Sequence, residues 1–284
     1  MALKLDAFSP PEVIEIISRA GVTKGNMPLE KIFLSAVSGG GLLAFACGSL
    51  LSTATAPWFQ ENAPGLIRTI SSMVFPYGLC MIILTGVDLC TSSFLYTTVA
   101  ALQRRLPWWK MLMHWFITFW GNLAGSLFVV SIIFGYGEVF STEPYKSQVI
   151  KSATIKQVTP DFHHIFLRGI GCNWLVSLAC YFGMQGRDLT SKVVGIWWPI
   201  YAFGSLGLEH VVANMMFIPM AIWLGAPDIS VGLYIWKGII PALIGNVVGG
   251  VLFGATYYWY MYGYSRETPP LERPALEKGS DGDV

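Results

Sequence analysis

A carboxylate and an imidazole, Glu209 and His210, stand in the middle of an apolar run from about residue 193 to 224, beside Gly204 and Gly207. Ionisable groups at membrane depth are costly, and they face a bundle interior or a water-filled path. Glycines beside them let the helix break, which is tolerated only where the freed backbone lines a cavity or is buried in protein. A chain with such a run must form a multi-helix membrane bundle with something polar at its centre. Its composition agrees: 54% of residues are hydrophobic and 12% charged, with a mean hydropathy of +0.54, about half the charge of a soluble chain. The net charge of +1 gives no argument for a nucleic-acid partner.

Residues 32–51 are uncharged and about the length of a spanning helix, with Gly39, Gly40, Gly41 and Gly48 suited to close helix contact. The run 70–99 would be roughly 45 Å long as one straight helix, against a hydrocarbon core of ~30 Å. Its centre carries the polar patch Thr85-Gly86-Val87-Asp88-Leu89-Cys90-Thr91-Ser92-Ser93, so it is predicted to be discontinuous. Further spans are expected at 111–134, 166–184, 193–224 (also broken) and 233–260, with a polar connection over 135–161. Residues 10–21 read as a short amphipathic helix with Val13, Ile16, Ile17 and Ala20 on its apolar face. The expected division is therefore a cytoplasmic N-terminal segment (1–31), a six-span domain (32–264) and a disordered tail (265–284). Twelve of the eighteen basic residues fall on the side shared by the termini, which predicts both termini in the cytoplasm. The start, Met1-Ala2-Leu3-Lys4, lacks the order of a signal peptide.

Two short matches point to an internal repeat. Gly121-Asn122-Leu123-Ala124-Gly125 recurs as Gly245-Asn246-Val247-Val248-Gly249, 124 residues later, and Gly86-Val87-Asp88 recurs as Gly207-Leu208-Glu209 after 121. A three-span unit ends on the side opposite its start, so its copy must be inverted. Paired broken helices in inverted repeats place a site at the midplane. The fold class expected is all-α, with two inverted three-helix repeats and broken helices two and five.

At the meeting point, His210 can offer a donor without a permanent charge, and Thr91 and Asn173 can orient it. Asp88 and Glu209 would repel an anion from a pore, so both are expected to point away and to bond backbone amides of the breaks, with Gly86 and Gly207 forming the turns. His114, His163 and His164 show no metal-ligand spacing, and the five cysteines read as core residues. No metal or cofactor is expected, and no nucleophile motif supports an enzyme.

These residues resemble the formate/nitrite transporter family over about 10–264. The likeness rests on Leu84-Thr85-Gly86-Val87-Asp88-Leu89-Cys90-Thr91-Ser92-Ser93, on Leu167-Arg168-Gly169-Ile170-Gly171-Cys172-Asn173-Trp174 and on Leu208-Glu209-His210-Val211-Val212-Ala213-Asn214-Met215. The resemblance implies an aquaporin-like protomer in a homopentamer, surrounded by plasma-membrane lipid, passing small monovalent anions together with a proton. It implies a central histidine at His210 with partners Thr91 and Asn173, and with Asn214 nearby. It also implies apolar constrictions at Phe75, Leu79, Leu89, Val176 and Phe203. The family's lysine falls at Gln157 by direct count, and at Lys156 if one extra residue is accommodated around Thr159-Pro160-Asp161. Nitrite is the expected substrate, from likeness to the nitrite-carrying members; formate is the alternative. A neutral-solute channel would be expected to carry Asn-Pro-Ala boxes, and neither break has one.

Overall fold

The computed structural model describes residues 7–264. The expected disordered tail and the basic residues Lys4, Arg266, Arg273 and Lys278 lie outside that range. Among the described residues five helices are long and apolar enough to cross a membrane, or six when the bent pair Leu189–Leu206 and Val211–Trp223 is taken as one span.

The first repeat opens with α1 (Pro10–Gly25), started by a Ser9–Glu12 capping box with proline in its first turn. Its buried face is Val13, Ile14, Ile17, Ser18 and Gly21, rotated from the predicted one; Ile16 and Ala20 are only half-buried. The rotation follows from docking: α1 lies on a later helix of the bundle, with Gly21 against the Tyr96 carbonyl. Then come α2 (Leu29–Ala54), a short α3 (Pro57–Asn62), and the second span as α4 (Pro64–Val74), α5 (Tyr77–Thr85) and, beyond a break, α6 (Cys90–Leu102). The third span is α7 (Trp108–Phe128), continued by π-helical turns over Val129–Tyr136.

The second repeat begins with α8 (Tyr145–Ala153) and a π-helical turn over Thr154–Val158. This segment was expected only as a polar connection between spans. It folds because Val149 and Ala153 bury against α2 and a half-helix of the fifth span. Next are α9 (Phe162–Gln185), α10 (Leu189–Leu206) and α11 (Val211–Trp223), the last two bent by 49°. The sixth span joins α12 (Val231–Leu233), π turns over Tyr234–Ile239, α13 (Ile240–Val248), π turns over Gly249–Thr256 and α14 (Tyr257–Tyr262). Its final turns expose Tyr257, Tyr260 and Tyr262, as Trp108 and Trp109 do at the start of α7, the amphipathic rings suited to a membrane interface.

The spans run a few residues beyond the predicted ends, because the apolar count misses polar turns that remain helical. The repeat is visible in three dimensions. The half-helix after each break has 13 residues, and each third helix turns π-helical after its Gly-Asn-x-x-Gly. α6 packs on α9 and the last π segment, while α11 packs on α2 and α7; the half-helices of one repeat lie against the other. This is the inverted-repeat arrangement that the sequence pattern predicts and the aquaporin-like protomer that the family resemblance implies.

Candidate functional site

The two breaks are built alike. Each preceding helix stops on a glycine with positive φ, Gly86 at 77° and Gly207 at 67°, a conformation that L side chains adopt only at a cost. Three residues on, the chain is extended at Leu89 (φ −118°) and His210 (φ −119°) before the next helix starts. Leu89 and His210 are thus counterparts, one apolar and one polar.

The break backbones are satisfied by Asn122 and Asn246, not by the acids as expected. Asn122 Oδ1 accepts from the Cys90 amide at 2.8 Å, and its Nδ2 donates to the carbonyls of Ala36 (2.7 Å) and Asp88 (2.9 Å). Asn246 does the same for the Val211 amide and the carbonyls of Gly169 and Glu209, each at 2.9 Å. A side-chain amide supplies one acceptor and two donors at once, which a carboxylate cannot. The adjoining glycines allow the close approach this requires: a Cβ on Gly125 would strike the Val37 carbonyl, and one on Gly249 the Ile170 carbonyl.

Freed from that duty, each acid pairs with a lysine. Asp88 Oδ1 lies 2.7 Å from Lys24 Nζ, which also donates to the Gly86 carbonyl at 3.0 Å. Glu209 has both oxygens 3.3 Å from Lys156 Nζ and accepts from Asn214 Nδ2 at 3.1 Å. Asn214 therefore braces Glu209 and the Gly238 carbonyl (2.9 Å) rather than facing the path. Lys156 thus reaches this break with its ammonium, whereas Gln157 is wholly buried. Both stand in a π turn over Thr154–Val158, which is in effect a one-residue insertion.

Between the breaks lies a narrow waist. Phe75, Leu79, Leu89, Val176 and Phe203 all line one cavity with His210, joined by Leu43 and Ile200, and its free volume is about 10 Å³. That is room for roughly one water. The rings of Phe75 and Phe203 lie 5.5 Å apart, and Phe203 is 6.1 Å from the imidazole. Leu43 and Ile200 were not predicted. They stand at repeat-related positions to Val176 and Leu79, 133 and 121 residues away, so extending the repeat from α2 to α9 would have found them.

His210 is fixed at both ring nitrogens. Nδ1 accepts from the Ala213 amide at 3.1 Å as the N-cap of α11, and Nε2 lies 2.8 Å from Thr91 Oγ1. Because a backbone amide can only donate, Nδ1 carries the lone pair and the neutral ring holds its proton on Nε2. Nε2–H then donates to Thr91, which leaves the threonine hydroxyl hydrogen free to point elsewhere. Asn173 does not touch the imidazole; its Nδ2 donates to the Thr91 carbonyl at 3.1 Å and so positions the threonine.

On the Lys156 side the waist adjoins a cavity of about 630 Å³, lined among others by Arg68, Lys151, Lys156, Arg168 and Glu209. Four cations thus share a space with one carboxylate, itself paired. Glu209 faces this cavity rather than pointing away from it. Arg68 packs its guanidinium over Gly207 at the C-terminal end of α10, where the helix dipole favours a cation. Arg68, Lys151 and Arg168 escaped the sequence analysis because charges at span ends look alike whether they face a cavity or lipid headgroups.

His114 was expected to have a surface or packing role. It is wholly buried on α7, with Nε2 3.6 Å from Asp88 Oδ1. His163 and His164 were judged to lack metal-ligand spacing, yet the N-cap turn of α9 brings one ligand atom of each, and one of Asp161, within 4.8 Å of one another. They are exposed, and His164 Nδ1 already accepts from the Asp161 amide. All five cysteines are buried and unpaired.

Residues 11–260 match the family model described as formate/nitrite transporter. A "probable formate transporter" of Methanothermobacter thermautotrophicus is 31% identical over 89% of this chain and 97% of its own. The "formate channel FocA" of Escherichia coli is 29% identical over 90% and 95%. Among solved structures, a "pentameric formate channel with formate bound" aligns at a TM-score of 0.73 and 26% identity, over 83% of this chain and 98% of its own. With the fold, the paired breaks and the match across nearly the whole chain in agreement, this protein belongs to the formate/nitrite transporter family, a family of transporters and channels rather than enzymes.

Proposed function

We propose that the protein carries a small monovalent anion, nitrite in preference to formate, through a pore in each protomer of a homopentamer in the plasma membrane, together with a proton. The basic-residue asymmetry supports cytoplasmic termini. The observation that carries the reading is the hydrogen-bonded pair Thr91–His210 inside an otherwise apolar waist. It offers a passing oxyanion a hydroxyl donor without a fixed charge that would trap it. The likeness to a pentameric channel supports the assembly.

The cation-rich cavity around Lys156 concentrates the anion. At the apolar waist, loss of hydration disfavours the charged form of a weak acid, so the anion takes a proton and crosses as the neutral acid. Water on the cavity side is the better source of that proton than His210. Surrender of Nε2–H while Nδ1 holds the Ala213 amide would leave an imidazolate. His210 thus serves as an oriented donor to Thr91.

Formate is the second reading, favoured by the names of several relatives at 29–31% identity. Uptake into proteoliposomes with an imposed pH gradient, comparing nitrite, formate and lactate, separates these readings. Nitrite uptake exceeding formate uptake and rising with an inward proton gradient is the expected result. Uptake indifferent to the gradient would sink the proton coupling.

A further inference from the structure

Each break acid has a lysine and one further polar neighbour, and that neighbour differs between the repeats. Beside Glu209 it is the amide of Asn214, 3.1 Å away; beside Asp88 it is the imidazole of His114, 3.6 Å away. The repeat spacings make this an exchange. At the 121-residue spacing that relates Asp88 to Glu209, the counterpart of Asn214 is Ser93. At the 124-residue spacing that relates Asn122 to Asn246, the counterpart of His114 is Gly238. The Gly238 carbonyl is the other acceptor of the Asn214 amide. One acid is therefore braced by a group that cannot change charge, and the other by a group that can. Neither His114 ring nitrogen nor Asp88 Oδ2 has a hydrogen-bond partner, so capacity for a new bond stands unused at this point.

An imidazole is the side chain that ordinarily changes charge between about pH 5 and 8. The surroundings of His114 are otherwise quiet. Of the elements packed on α7, α1 brings Lys24 to Asp88, while its Glu15 is held by Arg19 and Arg105. The only charged side chains of α2, Glu30 and Lys31, are exposed in its first turn. α6 brings Cys90 and Tyr96, the adjoining π turns bring an exposed Tyr136, and α11 brings no titratable group. On α7 itself Lys110 donates to Asn26. Asp88 and Lys24 are thus the charges that His114 meets. With the ring neutral they cancel. With a proton taken from water, the ring donates to Asp88 and the cluster carries one net positive charge.

We propose that His114 is a positioning residue for anion entry on the Lys24 face of the pore. Its protonation draws on Asp88, loosens the Lys24 ammonium from that carboxylate and from the Gly86 carbonyl, and strengthens anion binding on this face alone. The Lys156 face, braced by Asn214, lacks the device. The inference rests on the pore being an anion path, and the experiment keeps the two apart.

The test is uptake of labelled formate and nitrite into right-side-out and inside-out membrane vesicles holding the full chain, with only the entry side acidified across the ordinary imidazole range. On the Lys24 face, the KM for the anion is expected to fall by about three- to tenfold more than on the Lys156 face. H114N and H114Q are expected to abolish that extra fall while leaving Vmax at neutral pH near wild type. A purely structural role for His114 would lower Vmax and leave the pH profile of KM unmoved. Equal falls of KM on both faces of the wild type, a comparison that needs no variant, overturn the proposal. So does a folded H114N or H114Q that keeps the extra fall. No saturable anion uptake from either face would instead overturn the anion-path reading, and this inference with it.

Discussion

Asn246 Oδ1 accepts the amide hydrogen of Val211 at 2.9 Å, the residue after His210. The bond fixes where α11 begins, and hence where the imidazole stands. N246A orphans that buried amide, which costs about 1–3 kcal/mol, and removes a brace on the Glu209 carbonyl. A lower unfolding temperature in detergent and loss of anion uptake are expected. N122A should lower stability by a similar amount, because Asn122 makes the same three bonds.

Thr91 is the only side chain bonded to His210 Nε2 among the described residues. T91V keeps the shape but strands a buried N–H, again about 1–3 kcal/mol, and deletes the free hydroxyl hydrogen. Flux should fall at least tenfold with KM changed less, whereas T91S retains most of it. Initial-rate uptake distinguishes them, and T91V at wild-type flux would remove the pair from the mechanism.

The two positive-φ glycines should respond differently to alanine. At Gly86 nothing lies within 4 Å of an added Cβ, so G86A carries only the backbone cost of about 1–2 kcal/mol. At Gly207 the same Cβ also runs into the Arg68 guanidinium. G207A should therefore lower stability and, by displacing a cation from the 630 Å³ cavity, raise the KM on that face. Equal KM values for the two variants would contradict this.

Lys156 and Glu209 separate charge balance from transport. K156M leaves Glu209 facing the cavity without its cation, so both stability and apparent affinity should fall. The double variant K156M/E209Q should recover stability but not affinity. Salt dependence of KM should also flatten in both, because one charge that steers the anion is gone.

Glu15 predicts an acid limit for the docking of α1. Burial raises its carboxyl, but hydrogen bonds and charge from Arg105 and Arg19 outweigh this and hold it below the usual carboxylate range. A depressed folded value means stability present above the unfolded value and lost as pH falls through the folded one. Hydrogen exchange in α1 should therefore quicken below about pH 4, the ordinary carboxylate region, and E15Q should remove that acid dependence.

Much of the fold could be read from spacing alone. Apolar length placed the spans, and two short matches at 121 and 124 residues revealed the repeat. Phe75, Leu79, Leu89, Val176 and Phe203 came from family resemblance, and the waist gathers all five. What escaped depends on side-chain reach across helices. Asn122 and Asn246 take the backbone bonds once assigned to the acids, because an amide both donates and accepts whereas a carboxylate only accepts. Lys24 on α1 meets Asp88 across 64 residues, a contact that no local pattern signals. The π turn at Lys156 looks in sequence like a register error.

The asparagine bonds stay within a repeat: Asn122 ties spans one to three, and Asn246 ties four to six. The half-helices α6 and α11 instead lean on the other repeat through mainly apolar surface. Directional bonds therefore hold each break rigid, while non-directional contacts and the Thr91–His210 and Asn173–Thr91 hydrogen bonds hold the two units together. The molecule is two stiff brackets pinned to each other where the waist lies. A slip between the brackets that changes its bore must also stretch the Thr91–His210 bond.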